Sequence, residues 1–272
     1  MPKIKDEDIE IIKQMIIEGY TYSEIGRKFN VTKNCIFTYA KKLSLNTGKR
    51  FKRKNSIIDN IFETIDTEEK AYWLGFIMAD GGVCYTTNYY KESNKPNRLY
   101  INLSIKDYTM LEKFNKFLNY DKPIKTYIPK GTYSTNEMCN VTVNSVKLCK
   151  DLGCYGIVPN KTGKEYIPSL SSYLIRHFIR GFFDGDGSVY NSAGKIYVSF
   201  TNGNLLFLEQ LKKELAKNEI CIKNKISKVK NKEAYEFKFT SKKDIENFFN
   251  YIYKDSTIFM ERKYNKFGNT LC

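Results

Sequence analysis

Apolar residues in the first part of the chain follow a helical period. Residues 6–18 are predicted to form an amphipathic helix. Their apolar positions are spaced by three or four residues and are Ile9, Ile12, Met15 and Ile16. A second short helix can be capped by Thr21 or Ser23, and a third covers residues 33–43. The pattern predicts a small all-α domain over residues 1–46.

From residue 66 onward, strand-like and helical patterns alternate, and the whole order occurs twice. Period-two alternation is typical of half-buried strands; it covers 99–105, 125–128, 140–143, 195–200, 223–229 and 234–239. Helical spacing covers 110–117, 146–152, 205–215 and 245–251. With an apolar helix ahead of each set, the sequence predicts an α+β fold of two tandem pseudo-symmetric αββαββα repeats, at residues 66–168 and 169–272.

Each predicted repeat opens on a similar apolar segment. Residues 73–81 read WLGFIMADG, and residues 179–187 read IRGFFDGDG. In both, a glycine stands four positions before another small residue; these are Gly75 and Ala79, and Gly181 and Gly185. Residues four apart share one face of a helix, so the two helices could pack backbone to backbone. Each segment ends in Asp-Gly, and we expect this glycine to adopt the left-handed conformation that stops a helix.

Parallel packing of these helices would bring Asp80 and Asp186 together at one end. Two adjacent carboxylates repel unless a divalent cation lies between them. The two segments resemble the LAGLIDADG motif of homing endonucleases, with Met78 in place of the earlier motif aspartate in the first copy. The second copy retains that aspartate as Asp184, which we expect on a helix face near the site, in a supporting role.

This resemblance implies two saddle-shaped antiparallel sheets that lie side by side and bind adjacent half-sites in the major groove of double-stranded DNA. It also implies a Mg²⁺ or Mn²⁺ site made by Asp80, Asp186 and the backbone carbonyls of Ala79 and Gly185. The family has a lysine late in each repeat that points into the active site. Lys161 and Lys263 match that place in the two repeats, with Lys106 and Arg262 as rival candidates.

The amino-terminal domain has a resemblance of its own. Residues 22–32 resemble the second helix and turn of a helix-turn-helix domain, which would place the third helix in the major groove. The DNA-contacting residues would then be Thr32, Lys33, Asn34 and Thr38. A three-helix module that binds another protein is the alternative. Residues 47–65 are predicted to be a basic linker that either is only solvated or contacts phosphates through Arg50, Lys52, Arg53 and Lys54.

Charge and composition point to a polyanionic partner. The 272 residues include 45 Lys and Arg against 30 Asp and Glu, a net charge of +15, which is typical of a nucleic-acid-binding protein. A lysine-rich solvated surface would have the same composition. The sequence shows neither an export signal nor a stretch of about 20 apolar residues, the length needed to span a membrane. We expect a cytoplasmic monomer, associated with the nucleoid if the source is a bacterium or phage.

The function predicted from these features is site-specific, metal-dependent hydrolysis of double-stranded DNA. Two alternatives use the same fold: a DNA-binding regulator that has lost cleavage, and a maturase that binds the RNA of a group I intron. Asp80 and Asp186 favour the enzyme over the regulator, because carboxylates placed beside phosphates would weaken binding by a protein that only binds.

Overall fold

The computed structural model describes residues 4–18, 20–43, 57–86, 95–129, 136–192 and 194–271. The chain divides into two compact units, Met1–Lys54 and Asn55–Cys272. The first ten residues of the predicted linker 47–65 lie outside the described residues, and with them Arg50, Lys52, Arg53 and Lys54. Within the described part of the chain, no helix is both long and apolar enough to cross a membrane.

The first unit contains the three predicted helices. They are α1 (Ile9–Glu18), which follows a 3₁₀ turn at Asp6–Asp8, α2 (Tyr22–Lys28) and α3 (Lys33–Lys42). Of the two candidate caps for α2, the structure uses Thr21, which forms a capping box with Glu24. The turn before α3 places Asn30 at φ 53°, a left-handed conformation that asparagine tolerates. The buried core of this unit is built by Ile4, Ile12, Met15, Ile16, Ile25, Ile36 and Ala40.

The second unit confirms the predicted α+β fold with two similar halves. The first half contains α4 (Glu68–Asp80), β1 (Gly81–Cys84), β2 (Arg98–Ser104), α5 (Tyr108–Phe117), β3 (Lys125–Tyr127), β4 (Met138–Asn144) and α6 (Val146–Gly153). The second contains α7 (Ser172–Asp186), β5 (Ser188–Ser192), β6 (Lys195–Asn202), α8 (Leu205–Ala216), β7 (Ile226–Lys228), β8 (Tyr235–Phe239) and α9 (Lys242–Tyr253). An additional helix, α10 (Glu261–Leu271), was not predicted.

Each half forms a four-stranded antiparallel sheet. The strand orders, β1-β2-β4-β3 and β5-β6-β8-β7, are the same in the two halves. Alternate residues of β2 are buried, namely Leu99, Ile101 and Leu103; the intervening positions form a partly exposed polar face. In the second sheet Ile196, Val198 and Phe200 are buried in the same way. Each sheet therefore buries one face and presents the other, polar face outward.

The two glycine-containing helices, α4 and α7, pack against each other at the centre of this unit. A Cβ atom added to Gly75 would lie 2.0 Å from the carbonyl oxygen of Phe178, and one added to Gly181 would lie 1.9 Å from that of Tyr72. Side chains at these positions would hold the helices apart, so glycine is what allows the close approach. Because the contacts advance in the same direction along both chains, the helices run parallel.

The expected left-handed glycine at the end of each helix is wrong. Gly81 has φ −100° and ψ −179°, and Gly187 has φ −69° and ψ 157°, so both are extended and lead directly into a strand. Space explains the glycines instead: a Cβ atom on Gly187 would lie 2.1 Å from the ring of Phe183, and one on Gly81 would lie 2.8 Å from the side chain of Ile77.

Candidate functional site

The parallel pair of helices places two carboxylates at one end of the second unit. Asp80 is the last residue of α4, and Asp186 is the last residue of α7. A Cβ atom added to Gly185 would lie 2.3 Å from the Cβ of Ala79 and 3.2 Å from Oδ2 of Asp80. The Asp80 carboxylate therefore lies directly beside the last turn of α7. Asp80 is half-buried, whereas Asp186 is exposed.

Two lysines bond to the carboxyl-terminal ends of these helices in equivalent ways. Lys161 Nζ donates to the carbonyl oxygens of Met78 and Ala79, the latter at 3.1 Å. Lys263 Nζ donates to the carbonyl oxygens of Phe183 and Gly185, both at 2.7 Å. Cations are favoured at helix carboxyl termini, where carbonyl groups lack partners within the helix. The structure thus brings the four predicted residues, Asp80, Asp186, Lys161 and Lys263, to one site.

The carboxylates and lysines perturb one another. Burial and the charge of Asp186 raise the pKa of Asp80 to about 6, against the opposing effects of Lys263 and Lys161. Although Asp186 is exposed on one side, the protein around its carboxylate removes enough solvation to raise its pKa, while Lys161 and Lys263 oppose that rise. Loss of solvation lowers the pKa of Lys263 to about 8 and also lowers that of Lys161. The ionised forms of the two carboxyl groups are therefore disfavoured in this site, and an added cation would stabilise them.

The charges are coupled across the two halves. Of the two lysines, Lys263 does more to lower the pKa of Asp80, and Lys161 does more to lower the pKa of Asp186. Each lysine bonds to the end of the motif helix in its own half, and both lysines favour the ionised form of both carboxylates. Each half of the site is therefore composed of groups from both repeats.

The rival basic residues have other places. Lys106 is exposed. The Arg262 guanidinium forms a bidentate ion pair with Asp107, with both N–O distances 2.9 Å. No pattern in the sequence singles out Asp107, which is buried at the amino terminus of α5 and also contributes to the raised pKa of Asp80. Only its tertiary position, beside the ends of α4 and α10, connects it with the site.

Asp184, which we expected on a helix face near the site in a supporting role, lies on α7 within the core, beside the segment that carries Lys263. Its carboxylate is fully buried and accepts hydrogen bonds from Tyr72 Oη at 2.8 Å, Tyr253 Oη at 2.7 Å and the backbone N–H of Met260 at 2.7 Å. These bonds connect α7 to α4, to α9 and to the segment before α10. Its support of the site is therefore structural, through the segment that carries Lys263.

The donor set fits a hard divalent cation. Asp80 and Asp186 offer carboxylate oxygens, and the Ala79 and Gly185 carbonyls keep a second lone pair beside the lysine bond that each accepts. Among the described residues, no cluster of three or more His, Cys, Asp and Glu side chains could hold a metal. Mg²⁺ is commonly bound through one or two carboxylates, with water and substrate phosphates completing its shell. The residues present therefore suit a cation that is completed by a phosphate substrate.

In the first unit, the four residues predicted to contact DNA are exposed along α3. Thr32 caps the helix by accepting from the N–H of Cys35 at 3.3 Å, and Thr38 Oγ1 donates to the carbonyl of Asn34 at 2.9 Å. Lys33 and Asn34 lie in the first turn and are exposed. The opposite face of α3 is buried through Ile36 and Ala40. The polar face of α3 is thus free of the core of its own unit.

Part of the second repeat matches a described domain family. Residues 174–253 match the family model of the LAGLIDADG-like domain. The homing endonuclease I-WcaI, bound to its DNA recognition sequence, has a similar fold, with a TM-score of 0.53 and 18% identity over 80% of this chain and 92% of that one. The N-terminal LAGLIDADG domain of DUF199/WhiA compares with a TM-score of 0.46 and 18% sequence identity. The match covers 74% of this chain and 91% of that one.

The chain is also similar in sequence to part of a larger curated protein. It is the replication factor C small subunit of Thermococcus kodakarensis, which is 25% identical over 239 residues. The match covers 83% of this chain but only 25% of that protein, so the chain spans about a quarter of the length of the curated relative. The structural similarities show the fold alone.

Proposed function

We propose that this protein is a site-specific endonuclease that hydrolyses phosphodiester bonds in double-stranded DNA with a divalent metal ion. The observation that carries the proposal is the symmetric placement of Asp80, Asp186, Lys161 and Lys263 at the end of one parallel helix pair. A site composed of two carboxylates and two lysines, one of each from each repeat, suits a substrate with two scissile phosphates.

The polar faces of the two sheets support DNA as the substrate. In the first sheet, Arg98 pairs with Asn144, and Arg98 Nε donates to Asn144 Oδ1 at 3.0 Å. In the second, Tyr190 pairs with Tyr197, and the exposed Lys238 lies opposite Ser199, which is itself buried. Arginine, asparagine, serine and lysine side chains are the types that bind base edges and phosphates in a groove. The proposed role of these faces is to bind adjacent half-sites in the major groove.

The roles within the site follow from charge and position. Asp80 and Asp186, with the carbonyls of Ala79 and Gly185, would hold Mg²⁺ or Mn²⁺. Held there, the ion would supply the activation of water as a nucleophile and the stabilisation of charge on the phosphate and the leaving oxygen. Lys161 and Lys263 would add positive charge beside the scissile phosphates, because protonated amines at fixed positions stabilise a developing negative charge.

The first unit would add affinity and specificity. Its α3 exposes Thr32, Lys33, Asn34 and Thr38, and the proposed helix-turn-helix role places these residues against base edges. The net charge of +15 would make binding strongly dependent on salt, because cationic side chains release counterions from DNA. We propose that the active protein is a monomer, since one chain holds both carboxylates and both lysines.

The test is to incubate the full chain with a library of random DNA duplexes in Mg²⁺ and to sequence the cut ends. We expect one recurrent cleavage sequence, and no cutting when both Asp80 and Asp186 are replaced by Asn. Binding of one sequence without cutting would overturn the nuclease and support a DNA-binding regulator of the same fold. Preferential binding of structured RNA would instead support a maturase.

A further inference from the structure

The two lysines of the site lie on corresponding segments, which we name lysine segment 1 (residues 157–167) and lysine segment 2 (residues 257–263). The first follows α6 of the first repeat and carries Lys161. The second follows α9 of the second repeat and carries Lys263. Neither segment forms a helix or strand before α10 begins at Glu261. Their shape must therefore be fixed by contacts with other parts of the fold.

Lysine segment 2 is held by both repeats. Asp184 and Arg180 of α7, in its own repeat, bond to the N–H of Met260 and the carbonyl of Ile258, and the first repeat adds further bonds. Arg262 forms its bidentate pair with Asp107. Lys113 of α5 donates to the carbonyl of Phe259 at 3.2 Å and to the carboxylate of Glu261 at 2.5 Å. These bonds bring charged groups of the first repeat to residues 259, 261 and 262, shortly before Lys263.

Lysine segment 1, in the first repeat, is in turn bonded to groups of the second repeat. Asn204 Nδ2 donates to the carbonyl of Glu165 at 2.8 Å. Gln210 Oε1, on α8, accepts from the backbone N–H of Ile167 at 2.8 Å. Each lysine segment therefore docks on the helix of the other repeat that follows that repeat's second strand, α8 for segment 1 and α5 for segment 2.

Asp107 and Asn204 occupy equivalent positions: Asp107 is the N-cap residue of α5, and Asn204 is the N-cap residue of α8. Asn204 caps its helix and also binds lysine segment 1. Its Oδ1 accepts a hydrogen bond from the N–H of Phe207, and its Nδ2 donates to the carbonyl of Glu165. Asp107 makes no capping bond to α5. Aspartate at this position normally caps the helix and contributes about 1 kcal/mol by doing so. Here both oxygens of Asp107 bind Arg262 instead.

We infer that Asp107 and Asn204 are positioning residues, each of which fixes the active-site lysine of the opposite repeat. Asp107 acts on Lys263 through Arg262, and Asn204 acts on Lys161 through Glu165. The two halves of the site are thus assembled reciprocally, and damage to one anchor should affect one lysine and one strand of the DNA. The part of this inference that concerns DNA strands rests on the proposed nuclease function.

Matched serine variants test the inference. Serine can cap a helix as Asp and Asn do, but its side chain is too short to reach Arg262 or the Glu165 carbonyl. Asp107→Ser and Asn204→Ser should therefore keep α5 and α8 folded while they release one anchor each. Glu214→Gln is the control, because it removes the Lys217–Glu214 ion pair within α8.

The first measurement needs neither metal nor DNA. Reductive methylation of the metal-free full chain, followed by peptide mass spectrometry, reports how accessible each lysine amine is. Lys263 is only 6% exposed in the structure. In Asp107→Ser its methylation rate should rise about tenfold through local opening, while the rate at Lys161 stays unchanged. Asn204→Ser should raise the rate at Lys161 alone, and Glu214→Gln should change neither.

The second measurement uses a supercoiled plasmid that contains the cleavage sequence. Misplacing a catalytic group by about 1 Å can cost about 100-fold in rate, so each serine variant should cut one strand about 10- to 100-fold more slowly. Nicked circles should accumulate, with the nicks of the two variants on opposite strands and KM unchanged. A merely structural role would slow both strands equally.

Together, the two measurements distinguish failure of the positioning role from failure of the proposed nuclease function. If both lysines become reactive together in either variant, or if neither does, the positioning role is wrong whatever the protein cleaves. If the unmodified protein cuts no DNA but the lysine reactivities change selectively, the proposed nuclease fails and the reciprocal anchoring stands. Equal slowing of both strands in a cleaving protein would also overturn the assignment.

Discussion

Replacing Asp80 by Asn should stabilise the metal-free protein while it abolishes cleavage. The substitution keeps the side-chain volume but removes one negative charge beside Asp186. In the folded protein the pKa of Asp80 is raised from 3.8 to about 6, chiefly by burial and by that neighbour. The ionised carboxylate is therefore a cost to folding that the amide does not carry.

The size of the effect follows from the pKa. One pKa unit corresponds to 1.36 kcal/mol, so a rise to about 6 costs at most about 3 kcal/mol at pH 7. Because Asp80 is half-buried, solvent screening should reduce the observed gain to about 1–3 kcal/mol. A raised carboxyl pKa means that the folded state binds the proton more readily. The gain should therefore be full above pH 6, decline between pH 6 and pH 3.8, and vanish below.

Urea unfolding of the original protein and of Asp80→Asn, without metal, at several pH values measures this difference. Comparison at each pH cancels the contribution of other titrating groups, including His177, whose pKa is lowered to about 4 by burial and by Arg180. Mg²⁺ should stabilise the original protein more than the variant, because binding to the folded state alone raises stability. Cleavage should fall about 100-fold or more, the scale for an electrostatic catalytic group, while DNA binding is retained or strengthened.

Three results would refute parts of this reasoning. A variant that is less stable at pH 7 would show that Asp80 supports the fold instead of straining it. A gain in stability that is the same at pH 4 and pH 7 would show that the effect does not come from the charge. Unchanged cleavage in an Asp80→Asn, Asp186→Asn double variant would remove the metal-dependent mechanism.

Three further predictions follow from the fold. Gly75→Ala should lower the free energy of unfolding by about 4 kcal/mol or more, because the added Cβ would lie 2.0 Å from the Phe178 carbonyl oxygen. The control Gly153→Ala, whose added Cβ would have nothing within 4 Å, should change the free energy of unfolding by less than about 1 kcal/mol. Asp184→Asn should destabilise by about 2 kcal/mol in urea unfolding, since its amide cannot accept three hydrogen bonds. Deleting residues 1–54 should weaken and loosen DNA binding in salt-titrated gel shifts, yet leave a folded second unit with residual cleavage; an unfolded product would contradict the two-unit division.

Much of this architecture could be predicted from local patterns. Helical and strand periods each depend on a few neighbouring residues, so they give the order of elements in both repeats without any knowledge of tertiary contacts. The spacing of Gly75 and Ala79, and of Gly181 and Gly185, likewise predicts a smooth helix face, because residues four apart must share one side of a helix. A resemblance to a family added the site lysines, which the residue pattern alone could not single out among 45 basic residues.

Only the tertiary structure decided how the site is supported. Gly81 and Gly187 looked like left-handed helix stops, but the space beside Ile77 and Phe183 determines that these positions lack a side chain. Asp184 was expected to support the site from a helix face, but only the tertiary structure shows how it does so, with three donors from separate elements bound to its buried carboxylate.

The contacts between Asp107 and Arg262, and between Asn204 and lysine segment 1, join residues that are far apart in the sequence. No periodicity encodes such pairs, because they form only when the two repeats have packed along α4 and α7. The sequence by itself therefore determined the elements and the carboxylates at their ends. The packing of one repeat on the other determined which side chains hold the lysines beside them.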